Sequence, residues 1–433
     1  MPESYAVAYG TGRVSFDLPS GMHGEVVSPR PGTPVDLSAA VAQALTHTVA
    51  GPTLGDLAGP GSSVCIVFTD ATRDVPDETL VSAMLAQLRG AGVRREDITL
   101  LCGVGMHRPS TFEEKVAKLG RDIATGYRVL DSQPSDPSLL TDLGSFHGIP
   151  LQVSRYATEA DLLLATGVVE PHQYAGFSGG RKTVAIGAGG EATIAATHSP
   201  GMIQREGVRL ANLERNPFHE TIVESARRAG LRFVANVLRD GDGRVVQVAA
   251  GEPGAVLDHL VGHARTLYER RLDRRYDVVV AGVGHPKDAN IYQASRAVTY
   301  TYFAPQPVLK EGGVIIIPAP CDEGPGQGLG EERFFEAMRT AASPEQIVSR
   351  LTDRVTMAGE QRSFLLAKAL QGCRVIFVGC HAPEQVRACH MSVATTMGEA
   401  LAMAADLTRP DADVLVAPHA LLTVLRGPDS AGA

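Results

Sequence analysis

The sequence predicts an α/β protein of two domains, each built on a mainly parallel sheet, with an active site in the cleft between them. Three observations carry this expectation. Short apolar runs that suit buried parallel strands alternate with segments of helical periodicity along most of the chain. Polar residues follow directly on the carboxyl ends of several of those runs, where open α/β sheets bind ligands. The length, 433 residues, exceeds what one core organises, and a charged run at 269–275 offers a boundary. The expected division is 1–270 and 275–433.

From the amino terminus, residues 4–18 alternate apolar and polar across a Gly-Thr-Gly turn and predict a β-hairpin. A helix is expected over 36–49. The run 63–68 predicts a buried strand ending at Thr69, Asp70 and Arg73, with a helix over 77–91 after it. A strand at 98–102 ends in the polar turn that holds His107, and a helix follows over 111–119. Strands are expected at 149–154 and 161–167, the second leading to His172. Three strand ends thus present Asp70 with Arg73, His107, and His172, and separate strand ends can converge on one crevice. Helices over 190–197, 217–229 and 254–271 and strands at 232–238 and 244–249 complete the first domain. The second opens with a strand at 277–281 and continues with strands at 313–317, 374–378 and 413–417. Its helices are expected over 290–303, 331–341, 344–352, 361–371 and 383–405.

The stretch 170–198 holds few side chains able to build a core. It carries His172, the glycines 176, 179 and 180, Lys182 and His198, which are proton-transfer groups, a nucleophilic amine and a metal-capable imidazole. Successive glycine-permitted amides can form an anion-binding concavity; a glycine-rich surface turn with an exposed lysine is the alternative. A P-loop is excluded, because Arg181 separates Gly180 from Lys182.

Several functions are disfavoured by composition. A net charge of -8 gives no general attraction to nucleic acid or an anionic membrane. No run approaches the roughly 20 apolar residues of a membrane span, and no secretory leader is read at the start. The six cysteines form no C-x-x-C pair and suit a reduced, cytoplasmic protein. His259 and His263, at i and i+4, read as a solvated helix face. Cys380 with His381 and Cys389 with His390 match no zinc spacing and read as core. The glycines at 324–330 miss the G-x-G-x-x-G spacing of dinucleotide folds, which leaves an NAD-dependent oxidoreductase as the weaker alternative. Tyr292, Gln293 and Arg296 share one helical turn and either hold a carboxylate or form an ordinary polar first turn.

The segments around Thr69 to Pro76, Met106 to Pro109, Pro171 to Lys182, His198 and Pro286 to Gln293 together resemble, in order and spacing, the lactate racemase family. The resemblance implies a nickel-pincer nucleotide assembled by separate maturation proteins, with Lys182 as its covalent attachment, His198 as the protein's nickel ligand, and Gly179 and Gly180 beside it. It implies racemisation or C2-epimerisation of a small 2-hydroxy acid by reversible hydride transfer through a 2-keto acid. His107 and His172 would manage the hydroxyl proton, one for each enantiomer, since an imidazole both gives and takes protons near neutrality. Arg73 would stabilise developing negative charge, Asp70 would orient its neighbours, and Tyr292, Gln293 and Arg296 would bind substrate from the second domain. Position 296 is Arg where the lactate pattern has Lys, and the chain has no Trp. The expected substrate is therefore a 2-hydroxy acid other than lactate; a catalytically silent nucleotide-binding member of the family is a further alternative.

Overall fold

The computed structural model describes residues 4–352 and 356–428. Among these residues two six-stranded sheets organise the chain. The first runs in the order Val245–Gly251, Leu231–Arg239, Leu162–Val168, Val64–Thr69, Ile98–Gly103, Arg128–Asp131. Every pairing in it is parallel except that of the outermost strand Val245–Gly251. Its central strands Val64–Thr69 and Leu162–Val168 are buried throughout, which is why they read as unbroken apolar runs. From Val64–Thr69 the chain builds outward in one direction, then returns to lay Leu162–Val168 on the opposite flank. The carboxyl ends of these two neighbours flank a topological switch point, where a crevice opens.

The second sheet is parallel throughout, in the order Ser392–Ala394, Arg374–Val378, Leu309–Pro318, Tyr276–Ala281, Asp413–Ala417, His23–Val26. Its last strand comes from the amino terminus. The hairpin formed by Ser4–Tyr9 and Gly12–Asp17 packs on the same unit, with Tyr5, Val7 and Phe16 buried among Val278, Val280 and Val414. Residues 4–27 therefore lie on the second sheet, where the division at 1–270 puts them with the first. The two crossings between the units run side by side: the Arg30 amide donates to the Leu267 carbonyl at 2.7 Å, and the Arg270 guanidinium to the Ser28 carbonyl at 2.5 Å.

Three helical expectations end differently. The helix expected over 254–271 stops at Tyr268, and Glu269–Arg271 instead pairs in parallel with Val424–Arg426. The segment 290–303 divides into Ile291–Ala294 and Arg296–Tyr302. The segment 383–405 divides into Pro383–Ala388, the edge strand Ser392–Ala394 and Met397–Leu407. The break is set by His390, whose φ of 60° ends the helical path, and by Thr396, which caps a new one. Among the described residues no helix is long and apolar enough to cross a membrane.

Candidate active site

The floor of the crevice is the turn after Val64–Thr69. The buried Asp77 carboxylate, at the start of helix Asp77–Gly90, accepts hydrogen bonds from Thr69 (2.7 Å) and Thr166 (2.5 Å) and pairs with Lys118 at 2.6 Å. The Lys118 ammonium also donates to the carbonyls of Arg73 (2.9 Å) and Val75 (3.1 Å), so one buried ion pair ties both strand ends to the turn between them. On that turn the Asp70 carboxylate takes the Thr72 hydroxyl at 2.7 Å on one oxygen and His107 Nδ1 at 2.6 Å on the other. Burial alone would push the Asp70 carboxyl up, but the His107 ring, Arg73 and Thr72 outweigh it and hold the group well below the usual carboxylate range. The ionised carboxylate requires Nδ1 of His107 to carry hydrogen, which leaves Nε2 as the basic nitrogen. Arg73 donates to the Thr72 hydroxyl at 3.0 Å and joins the same array.

The second wall follows Leu162–Val168. Pro171–His172 pairs with Gly176–Phe177, and the tight connection turns the amides of Tyr174 (3.2 Å) and Ala175 (3.1 Å) onto Nδ1 of His172. A nitrogen that accepts two N–H groups has no proton, so the neutral ring carries its hydrogen on Nε2. Burial, with the charges of Lys182 and Arg296, holds His172 well below the ordinary histidine value. His107 and His172 are thus fixed in opposite tautomers.

Beyond them Gly179, at φ 147° and ψ 177°, takes a conformation open to glycine, and a single helical turn Gly180–Lys182 passes into a π-helical turn, Thr183–Gly187. That wide turn rests on the end of Ile98–Gly103 because Gly187 and Gly103 meet backbone to backbone; a Cβ on either would lie within 3.1 Å of the other. Burial and the charges of Arg73 and Arg296 lower the Lys182 amine to about 7. His198 caps helix Glu191–Thr197, its Nδ1 lying 2.9 Å from the Ile194 carbonyl, so Nε2 is free to ligate. Burial and Lys182 push its pKa down to about 3, which keeps Nε2 unprotonated. The Tyr174 ring stands edge-on to His198 at 5.5 Å, and its buried hydroxyl has no hydrogen-bond partner.

The second domain closes the cavity with Tyr292, Gln293 and Arg296. Asn290 caps the helix Ile291–Ala294 that carries Tyr292 and Gln293, accepting from the Gln293 amide at 2.9 Å, and Arg296 opens the helix that follows. Arg296 is 7% exposed and donates to the Tyr300 hydroxyl at 2.9 Å, which itself donates to the Pro171 carbonyl at 3.1 Å. Thr299 donates to Gln173 at 2.8 Å, and Lys287 faces Glu170 at 3.9 Å. These contacts bind the two walls to each other beside His172.

Asp70, Arg73, His107, His172, Gly179, Lys182, His198, Tyr292, Gln293 and Arg296 all line one cavity of about 170 Å³. Gly180 does not. Its amide donates to Asn236 at 3.1 Å and a Cβ there would meet Val234 at 2.7 Å, so its smallness serves packing against the sheet rather than the cavity. The glycine turn at 324–330 borders the cavity, but the Gly328 amide is taken by the Glu331 carboxylate at 2.9 Å. A carboxylate in that position opposes a dinucleotide pyrophosphate. Among the described residues no group of three or more His, Cys, Asp or Glu side chains could hold a metal. Sequence reasoning missed Gln173, Tyr174 and Arg362 on the cavity wall, and the Asp77–Lys118 pair beneath it. Gln173 and Tyr174 adjoin His172 and were within reach of the motif; nothing local marks Arg362.

Fold and site define a two-domain α/β enzyme whose interdomain cleft joins imidazoles to a lysine amine whose pKa burial lowers to about 7. Residues 9–211 match the lactate racemase N-terminal domain and residues 273–425 the lactate racemase C-terminal domain. The lactate racemase of Thermoanaerobacterium thermosaccharolyticum is 31% identical, over 97% of this chain and 98% of its own. That of Lactiplantibacillus plantarum is 32% identical, over 89% and 90%. The structure of the T. thermosaccharolyticum apoprotein superposes with a TM-score of 0.87 at 27% identity, covering 98% of this chain and all of that one. A Thermotoga maritima protein shares the fold alone, with a TM-score of 0.67 and 16% identity over 90% of this chain and 97% of its own. The chain belongs to the lactate racemase family. It is an isomerase, a racemase of the 2-hydroxy-acid type.

Proposed function

We propose that this racemase interconverts the enantiomers, or C2 epimers, of a small 2-hydroxy acid other than lactate, using a nickel-pincer nucleotide built by separate maturation proteins. The observation that carries the reading is the pairing, in one cavity, of the Lys182 amine at about 7 with a His198 whose Nδ1 is engaged and whose Nε2 is free. Lys182 would hold the group covalently and His198 would ligate its nickel; the unpartnered Tyr174 hydroxyl leaves a polar contact available beside them. When bound, the group would supply a hydride acceptor, so that the substrate becomes a planar 2-keto acid able to regain hydride on either face.

This chain's own residues then orient the acid and manage one proton. Arg296 and Gln293 receive the carboxylate from the second domain. Arg73 faces the hydroxyl oxygen as negative charge develops. His107, steadied by Asp70, takes the hydroxyl proton on Nε2 from one enantiomer. The other enantiomer turns its hydroxyl to His172, whose Nε2–H donates a hydrogen bond to that oxygen. Acting as a base there requires His172 to move its hydrogen to Nδ1, against two backbone amides.

The test is intact-protein mass and metal content after co-expression with maturation proteins, together with optical rotation of a 2-hydroxy-acid panel. An adduct on Lys182 with nickel, and loss of rotation without net oxidation, is the expected result. An adduct without any loss of rotation across the panel would instead identify a catalytically silent member, and K182A retaining the adduct would overturn the attachment.

A further inference from the structure

Arg362 belongs to none of the motifs, yet it is 4% exposed and lines the cavity. It lies in the first turn of helix Glu360–Leu370, where Glu360, Gln361, Arg362 and Ser363 are all buried, an unusual placement for a polar helix start. Its Nη1 donates to the side-chain oxygen of Gln173 and to the Thr299 hydroxyl, both at 3.2 Å, and its Nε has no partner at all. The guanidinium sits 5.5 Å from the centre of the Tyr292 ring. No carboxylate among the described residues pairs with it. Among the described residues Arg296 likewise has no carboxylate in contact: its hydrogen-bond partners are the Tyr300 hydroxyl and, at 3.5 Å, Gln293, while the Glu170 carboxylate acts on its charge without pairing with it. Two buried guanidiniums with neutral partners therefore face one cavity from one domain, and a buried cation is favourable only when an anion completes it.

We propose that Arg296 and Arg362 form a two-point clamp for a short 2-hydroxy acid bearing a second carboxylate, Arg296 receiving the carboxylate next to the reacting carbon and Arg362 the distal one. The proposal rests on the 2-hydroxy-acid reading above and narrows it. Arg362 is anchored to Gln173, the neighbour of His172, and to Thr299, one turn beyond Arg296, so it stands at the substrate edge. Lys182 and His198, the groups suited to the nucleotide, belong to the other domain. A guanidinium fork matches a carboxylate with two parallel hydrogen bonds. A neutral side chain of equal length would leave Arg362 buried and unpaired, and a site built this way discriminates against ligands lacking the polar group.

Calorimetric titration of the cofactor-loaded protein compares 2-hydroxybutanedioate with 2-hydroxybutanoate, which match in carbon count and differ in the distal carboxylate. The diacid is expected to bind about tenfold to a hundredfold more tightly, the range of a charge-assisted hydrogen bond. R362Q should erase that preference, and R362K should restore part of it by supplying charge without the fork. Equal affinities in the unaltered protein would overturn the clamp, and need no variant to fold. A preference that survives R362Q while nickel and adduct content fall would also overturn it, assigning Arg362 to the cofactor's phosphate. Preference for the diacid without any racemisation would sink the catalytic reading and leave the clamp standing.

Discussion

The Asp70 carboxylate holds Nδ1 of His107 at 2.6 Å, while Nδ1 of His172 accepts two backbone amides at 3.1 and 3.2 Å. The same imidazole chemistry is thereby set to opposite purposes, with His107 offering a bare Nε2 and His172 an Nε2–H. The dyad of His107 and Asp70 resembles the carboxylate–histidine pairing of other acid–base sites in which the carboxylate fixes the tautomer.

D70N removes the charge and trades one of the two accepting oxygens for an N–H donor, so the His107 tautomer is no longer fixed, and it should lower turnover by about 10²- to 10⁴-fold, the usual contribution of a general acid–base group. The Lys182 adduct should persist, since Asp70 lies on the opposite wall. Racemisation rate measured beside intact mass checks both halves; an unaltered rate would remove His107 from its role.

The opposed tautomers predict unequal enantiomers in single-turnover oxidation. The one whose hydroxyl meets His107 should react faster in the unaltered enzyme and be slowed more by H107A, and H172A should chiefly affect the other. Steady-state rates must still respect the equilibrium constant, so rapid-quench measurement from each pure enantiomer is the informative one. Identical effects of both substitutions on both enantiomers would remove the division of labour.

Lys182 should titrate near pH 7, so acylation by a small anhydride in the cofactor-free protein should be half-maximal there, well below an ordinary lysine. The linkage sign follows from its folded value of about 7 against the ordinary 10.5. Between those values the unfolded chain binds more protons, so this group makes the folded protein more stable as pH rises from about 7 toward 10. K182M should flatten that rise in urea titrations at successive pH values.

D77N keeps hydrogen-bonding capacity toward Thr69 and Thr166 but leaves the Lys118 charge without its partner in the interior. Breaking a buried pair from one side costs about 3–5 kcal/mol. Urea denaturation should show a loss of that order, and adding K118M should recover part of it. A D77N protein as stable as the parent would mean that the pair does not hold the turn.

Much of this was legible in the sequence because each signal is local. Val64–Thr69 and Leu162–Val168 read as strands since both their faces are buried, and the polar residues at their ends read as a site since parallel sheets bind ligands there. The edge strands of the second sheet were not legible. His23–Val26 and Ser392–Ala394 are three or four residues long and carry little apolar periodicity, and they are strands because a neighbouring edge offers hydrogen bonds. Gly179 and Gly180 look alike in sequence for a related reason, and only the packing of Gly180 against Val234 distinguishes it from Gly179 on the cavity wall.

By itself the sequence determined the α/β class, the order of most strands and helices, the family, and the polar residues Asp70, Arg73, His107, His172, Lys182 and His198 that the cavity brings together, because periodicity and motif spacing are properties of neighbouring residues. Only the tertiary structure decided that residues 4–27 belong to the second sheet, that His107 and His172 hold opposite tautomers, and that Arg362 lies 189 positions from Gln173 yet donates to it across the cleft. Hydrogen-bond partners, burial and the charge state of a lysine depend on what packs against a group from distant parts of the chain. That information exists only once the two domains enclose the cavity.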